Sequence, residues 1–336
     1  MTVRAYVRNS PAQSAGAQTS SEAVEACGLY LLNWITITIL ALFVGVSLAL
    51  LKLSMALEGE LLGGIATVAG LTAAGHVLLS RVRAVRIAYV LISIAQLGLV
   101  SMLGAVLTYV AASANLPLQD AMLDSWDKFF GLDWTVYYRL MTAWPALLPY
   151  ACLSYGAIGL PPIAVPIVLG LTNNHVRLQQ FTMATLLTLC AVALISALIP
   201  AIGTYQQYNL PTEFATFKAS GYLIQLDRLP VVRSSSLQVL NISQIGGIVT
   251  FPSFHAAAAL LALWAWWGVW WMRPWALMMC VAMLAATPLW GGHYFVDIFA
   301  GVAVAALAIA FAKAIEGQSL VIPHGAKSTS LACVTP

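Results

Sequence analysis

The chain has 336 residues, of which 61% are hydrophobic and only 8% charged, with a mean hydropathy of +0.87 and a formal net charge of +3. A soluble domain carries about 25% charged residues, and so few cannot cover a water-soluble body of this size, which excludes a cytosolic enzyme. The 15 Lys and Arg are scattered and form no basic face for nucleic acid, so the composition points to an integral membrane protein.

Residues 1–28 are rich in Ser, Ala, Gln and Gly and lack the apolar core and cleavage site of a signal peptide, so a flexible, uncleaved tail is expected. Apolar runs long enough to cross a bilayer, about 20 residues, then recur near 30–51, 61–80, 87–112, 145–170, 179–203, 253–272, 275–291 and 293–314. The expected fold is therefore all-α, a polytopic bundle of eight transmembrane helices. The fourth run contains Pro145, Pro149, Pro161, Pro162 and Pro166, so it must kink or lie partly in the interface. The seventh and eighth are nearly contiguous and should form a tight hairpin. Residues 317–336 read as a second loose tail.

Two connecting segments are too long to be simple links. One, 114–144, carries WDKFFGLDW, a mixture of aromatics and acids suited to an interfacial helix. The other, 204–252, mixes apolar, aromatic and charged residues, and loops of that length are usually functional or disordered. Five cysteines, Cys27, Cys152, Cys190, Cys280 and Cys333, form no CxxC pair. No disulfide framework and no sulfur-based zinc site is expected.

Basic residues set the orientation. With both termini in the cytoplasm, the inner segments hold Arg4, Arg8, Arg81, Arg83, Arg86, Arg177, Arg273, Lys313 and Lys327. The outer segments hold Lys52, Lys128, Arg139, Lys218, Arg228 and Arg233, together with most of the acids, including Asp120, Asp124, Asp127, Asp133 and Asp297. Trp264, Trp266, Trp267, Trp270, Trp271 and Trp275 cluster at one inner boundary, as interfacial anchors do.

Of five histidines, His76, His175 and His324 fall at inner ends without ionisable neighbours. His255 opens the sixth run within FPSFH, and His293 opens the eighth within GGHYFVDIFAG, both at the outer end. His293 and Asp297 are four apart, which on a helix places them on one face. A carboxylate there can hold one imidazole nitrogen and leave the other basic, the nucleophile–orienter arrangement of covalent catalysis. Such a pair can also do no more than satisfy itself at a helix end, but ionisable residues in spans are costly and default to function. His255 alone is equally suited to an interfacial role. Pro252 and Ser253 make a good helix start, with Ser253 as N-cap. Gly291 and Gly292 allow close backbone approach, and two such N-termini together would form an anion pocket.

FPSFH and GGHYFVDIFAG resemble the second and third signature motifs of the type 2 phosphatidic acid phosphatase superfamily. They are most similar to its inositol phosphorylceramide synthase and sphingomyelin synthase branch, over roughly residues 200–312, with a fainter likeness in 118–170. The resemblance implies a six-helix core at 87–316, with outer loop 204–252, preceded by two extra helices at 29–86. It implies that His293 is the nucleophile on phosphorus, that Asp297 holds and charges it, and that His255 protonates the leaving oxygen and then activates the acceptor. Ser253, Gly292 and nearby amides would hold phosphoryl oxygens, at the exoplasmic face and with no metal or cofactor. The implied partners are a membrane lipid substrate and a small alcohol, a lipid alcohol or water as acceptor.

The chain departs from the phosphatase pattern, which has Ser-Arg six to seven residues before the histidine. Here those positions are Ala286 and Thr287. The Lys-x6-Arg-Pro motif is also absent, Lys218 and Arg228-Leu-Pro230 being too far apart. The synthase branch lacks the same Arg. Phosphoryl transfer still needs electrostatic stabilisation, for which the outer loop offers Arg233, Arg228 and Lys218. Other readings of the same residues are a haem held by two histidines, zinc on His255, His293 and Asp297, a transporter, or an inactive scaffold.

Overall fold

The computed structural model describes residues 11–210 and 221–316. It is a helical bundle with almost no sheet. The long helices are α1 (Pro11–Leu50), α2 (Gly59–Val77, continued by a π turn to Val82), α3 (Val85–Ala112), α8 (His175–Leu198), α12 (Arg273–Trp290) and α13 (Phe295–Glu316). Six segments are long and apolar enough to cross a membrane: Glu25–Leu50, Gly59–Val82, Val85–Ala112, His175–Leu198, Trp270–Trp290 and Phe295–Ile315. The chain is a multi-pass membrane protein.

The two remaining runs depart from simple spans. The proline-rich run breaks into α6 (Leu148–Gly156), flanked by 3-10 turns, and α7 (Pro161–Leu171), bent by 62° at the break. The break falls where Pro161 and Pro162 withhold two amide donors. The run at 253–272 is helical only over α11 (Phe254–Trp267). Fourteen residues rise about 21 Å, less than the roughly 30 Å hydrocarbon core. Gly268 ends it, followed by a 3-10 turn at Trp270–Met272. The fifth run stops at Leu198 because Ile199 precedes Pro200, which disfavours helical backbone there.

α8 lies at the centre, against α1, α3, α7, α11 and α13. Alanines 256, 257, 258, 259, 262 and 265 of α11 are buried, and small side chains of this kind let membrane helices approach closely. A buried polar seam binds α1 to the bundle. Asn33 donates to Gln179 Oε1 at 2.9 Å, and Gln179 donates to Ser93 of α3 at 2.9 Å. α2 packs on α3 and is otherwise peripheral.

One end of the bundle carries α4 (Asp120–Phe129), α5 (Trp134–Thr142), α9 (Thr204–Gln207) and α10 (Gly221–Arg233). It also carries a two-residue parallel pair, β1 (Ser54–Met55) with β2 (Val239–Leu240), in the register Ser54↔Val239. The segments 52–60, 114–144 and 204–252 thus meet on one face. Among the described cysteines, Cys152, Cys190 and Cys280 are free. Cys27 is disulfide-bonded, a departure from the expectation for the cysteines that no local spacing signals.

Candidate active site

The site forms where the N-termini of α11 and α13 meet. Ser253 is the N-cap of α11, its hydroxyl accepting from the Ala256 amide at 3.4 Å, and its own amide donates to the Asp297 carbonyl at 3.0 Å. His293 does not open α13 but precedes it. The chain turns through Gly292 at φ +62°, a left-handed conformation natural to glycine, and the helix starts at Phe295. Asp297 is therefore the third residue of the helix. Its Oδ2 reaches back to the Tyr294 amide at 2.9 Å while the Asp297 amide donates to the Tyr294 carbonyl, a reciprocal cap. The same oxygen lies 3.1 Å from His293 Nδ1. The pairing of His293 with Asp297 is thus produced by helix capping rather than by two residues one turn apart on a helix face.

With Nδ1 held, His293 presents Nε2, which lies 3.3 Å from the Ser253 hydroxyl. Ser253, His293 and Asp297 are all buried. His255, in the first turn of α11, stacks on the ring of Tyr155 from α6, centroids 3.8 Å apart and planes 12° from parallel. Among the described residues no group of three His, Cys, Asp or Glu side chains could hold a metal, so the zinc reading of His255, His293 and Asp297 finds no support in the geometry.

α4 supplies what the sequence reading missed. Asp127 accepts from the Phe295 and Val296 amides, both at 2.8 Å, and so occupies the first free N–H groups of α13. Asp120 accepts from the Gly203 amide at 2.8 Å and the Tyr294 hydroxyl at 3.1 Å. Asp124 takes the Tyr208 hydroxyl and Lys128, the latter at 2.6 Å. Burial pushes the Asp127 carboxyl above its ordinary range, against the opposing pull of the two amides. Asp120, Asp124 and Asp127 follow i, i+4, i+7 spacing, so the signal for one shared helical face was present.

These contacts correct the picture of two open helix ends. The leading amides of α13 are taken by carboxylates. Gly292 is covered by Tyr222, and its carbonyl accepts from the Thr204 amide at 2.9 Å, so it is a packing point rather than an open phosphate cradle. What remains for an anion is the first turn of α11, whose leading amides have no intrahelical partner. Nor do the loop arginines meet the histidines. Arg228 donates to Gln244 Oε1 at 2.6 Å and Arg233 to the Leu116 carbonyl at 2.8 Å. Lys218 lies outside the described residues. Among the described residues, no Lys or Arg side chain is bonded to Ser253, His255, His293 or Asp297.

The family model of the PAP2 superfamily matches residues 121–311, more than half of the chain and every element from α4 to α13 that touches the site. The chain belongs to the PAP2 superfamily. No curated protein and no solved structure matches it. Membership places it among phosphatase-type enzymes of lipid phosphates, and the PAP2 match contains both histidine motifs.

Proposed function

We propose that the protein transfers a phospho-headgroup from a membrane lipid to an alcohol, as inositol phosphorylceramide synthase-like members of the superfamily do, through a phosphohistidine at the exoplasmic face with both termini cytoplasmic. The observation that carries this reading is the orientation of the His293 ring between Asp297 and Ser253. Asp297 Oδ2 lies 3.1 Å from Nδ1, which turns Nε2 toward the Ser253 hydroxyl at 3.3 Å and the N-terminus of α11.

In the first half-reaction Nε2 bonds to phosphorus while the bond from phosphorus to the lipid oxygen breaks, and His255 supplies a proton to that oxygen. In the second, His255 takes the proton of the acceptor hydroxyl, the acceptor oxygen bonds to phosphorus, and the P–N bond returns its electron pair to Nε2. Asp297 stabilises the imidazolium character that develops on His293. Ala286 and Thr287, in place of the phosphatase Ser-Arg, favour the synthase-like branch. Dephosphorylation, with water as acceptor, follows the same steps.

The test is turnover of labelled lipid phosphates by the purified protein in nanodiscs, with and without alcohol acceptors. The expected result is an acid-labile phosphoenzyme and an acceptor-dependent product, both absent in His293→Ala. Substantial turnover by His293→Ala refutes the nucleophile assignment, and free phosphate as sole product moves the protein to the phosphatase class.

A further inference from the structure

A phosphoryl group carries negative charge, yet the described contacts bring no Lys or Arg to Ser253, His255, His293 or Asp297, and carboxylates already occupy the leading amides of α13. Among the described residues, neutral groups are left to donate there. One such group stacks on His255 and approaches His293. Tyr155 is buried at the C-terminal end of α6, and its ring stacks on His255. Its hydroxyl makes no hydrogen bond among the described residues.

Gly291 shows where that hydroxyl points. A Cβ built on Gly291 would lie 2.9 Å from the Tyr155 hydroxyl, 2.8 Å from His293 Nε2 and 2.3 Å from His293 Cδ2. The tyrosine hydroxyl and the nucleophilic nitrogen therefore both approach the bare α-carbon of residue 291 and lie at most 5.7 Å apart, an approach that a side chain there would obstruct. A donor beside the attacking nitrogen can bond an equatorial phosphoryl oxygen as charge develops there.

We infer that Tyr155 is a further catalytic residue, whose hydroxyl donates to a phosphoryl oxygen in place of a basic side chain while its ring fixes the plane of His255. The assignment rests on the phosphohistidine reading and separates from it experimentally. Tyr155→Phe keeps the stacked ring and removes only the donor.

The probe is orthovanadate, a mimic of the pentacoordinate phosphoryl group, titrated calorimetrically into the purified full chain. Wild type is expected to bind it, His293→Ala to lose binding, and Tyr155→Phe to bind about 10²-fold more weakly, the scale for removing one oxyanion donor. Gly291→Ala keeps every functional group but presses on the Tyr155 hydroxyl and the His293 ring together, and is expected to lose binding too. Tyr150→Phe, an exposed tyrosine on the same helix, is the unchanged control. Equal vanadate affinity in wild type and Tyr155→Phe, or in wild type and Gly291→Ala, overturns the Tyr155 assignment and leaves the phosphohistidine intact. Failure of wild type to bind, or binding indifferent to His293→Ala, overturns both.

Discussion

The two ends of α11 solve the same problem in opposite ways. Every helix leaves unpaired amides at its start and unpaired carbonyls at its finish. At the finish, Arg177 donates to the carbonyls of Ala265, at 3.0 Å, and Trp264, and Arg273 donates to the carbonyl of Trp267 at 3.0 Å. Both guanidiniums lie over indoles, 4.6 Å from Trp264 and 5.6 Å from Trp267. That end is closed: cations answer the carbonyls and the negative pole of the helix dipole together. At the start, Ser253 covers one amide and the rest of the first turn stays open beside two imidazoles. One terminus is saturated, and the other is left incomplete.

The largest test of this contrast is at the open end. His293→Ala is expected to lower turnover by on the order of 10³-fold or more, and Asp297→Asn similarly, because residues of one catalytic unit fail together. Steady-state rates on a lipid phosphate measure both. A loss smaller than tenfold in both would mean that the open end is not catalytic.

Next comes the contact between α11 and α13. A Cβ on Gly301 would come within 2.2 Å of the Ser253 carbonyl oxygen, and backbone cannot retreat as a flexible side chain can. Gly301→Ala is expected to cost about 3 kcal/mol through overpacking and to depress activity by displacing Ser253. Thermal denaturation beside an activity assay separates the two effects.

Asp127→Asn should cost about 2 kcal/mol, because an amide side chain offers one acceptor oxygen where the carboxyl serves two backbone amides. The residue also carries a pH signature. Burial raises its carboxyl pKa in the folded protein, so the native state keeps a proton that the unfolded chain releases at lower pH. Its contribution is fullest below the ordinary carboxylate range and is lost as pH rises through the raised value. The Tm gap between wild type and Asp127→Asn should change from about pH 4 to pH 7. A constant gap would show that this carboxyl does not titrate as described.

The smallest effect belongs to the closed end. Arg177→Ala should cost about 1 kcal/mol, since Arg177 and Trp264 are partly exposed, and should leave turnover within twofold. A large loss of activity there would erase the distinction between the two termini.

The sequence marks the spans because crossing a bilayer demands long apolar runs, and it marks the histidine motifs because an ionisable group is conspicuous among them. Ser253 is readable as an N-cap because its partner amide is three residues away. The His293–Asp297 contact was foreseen for a different reason from the one that produces it, since a four-residue spacing fits both a helix face and a cap. Asp127 was not foreseen as a cap, because its partners lie 168 residues further on. Tyr155 was hidden differently: in a proline-broken apolar run, a tyrosine reads as one more interfacial anchor. Local chemistry is legible from spacing, whereas chemistry assembled by tertiary packing is not.

The two-residue pairing of Ser54–Met55 with Val239–Leu240 has a practical consequence for dissection of the molecule. The superfamily match begins at residue 121, which invites excision of everything before it. Such a fragment would strip one edge from the strand leading toward Pro252 and Ser253, and would leave Gln179 facing hydrocarbon without Asn33 or Ser93. The leading hundred residues would then serve the site as scaffolding, and functional complementation should demand that they be supplied, even as a separate polypeptide.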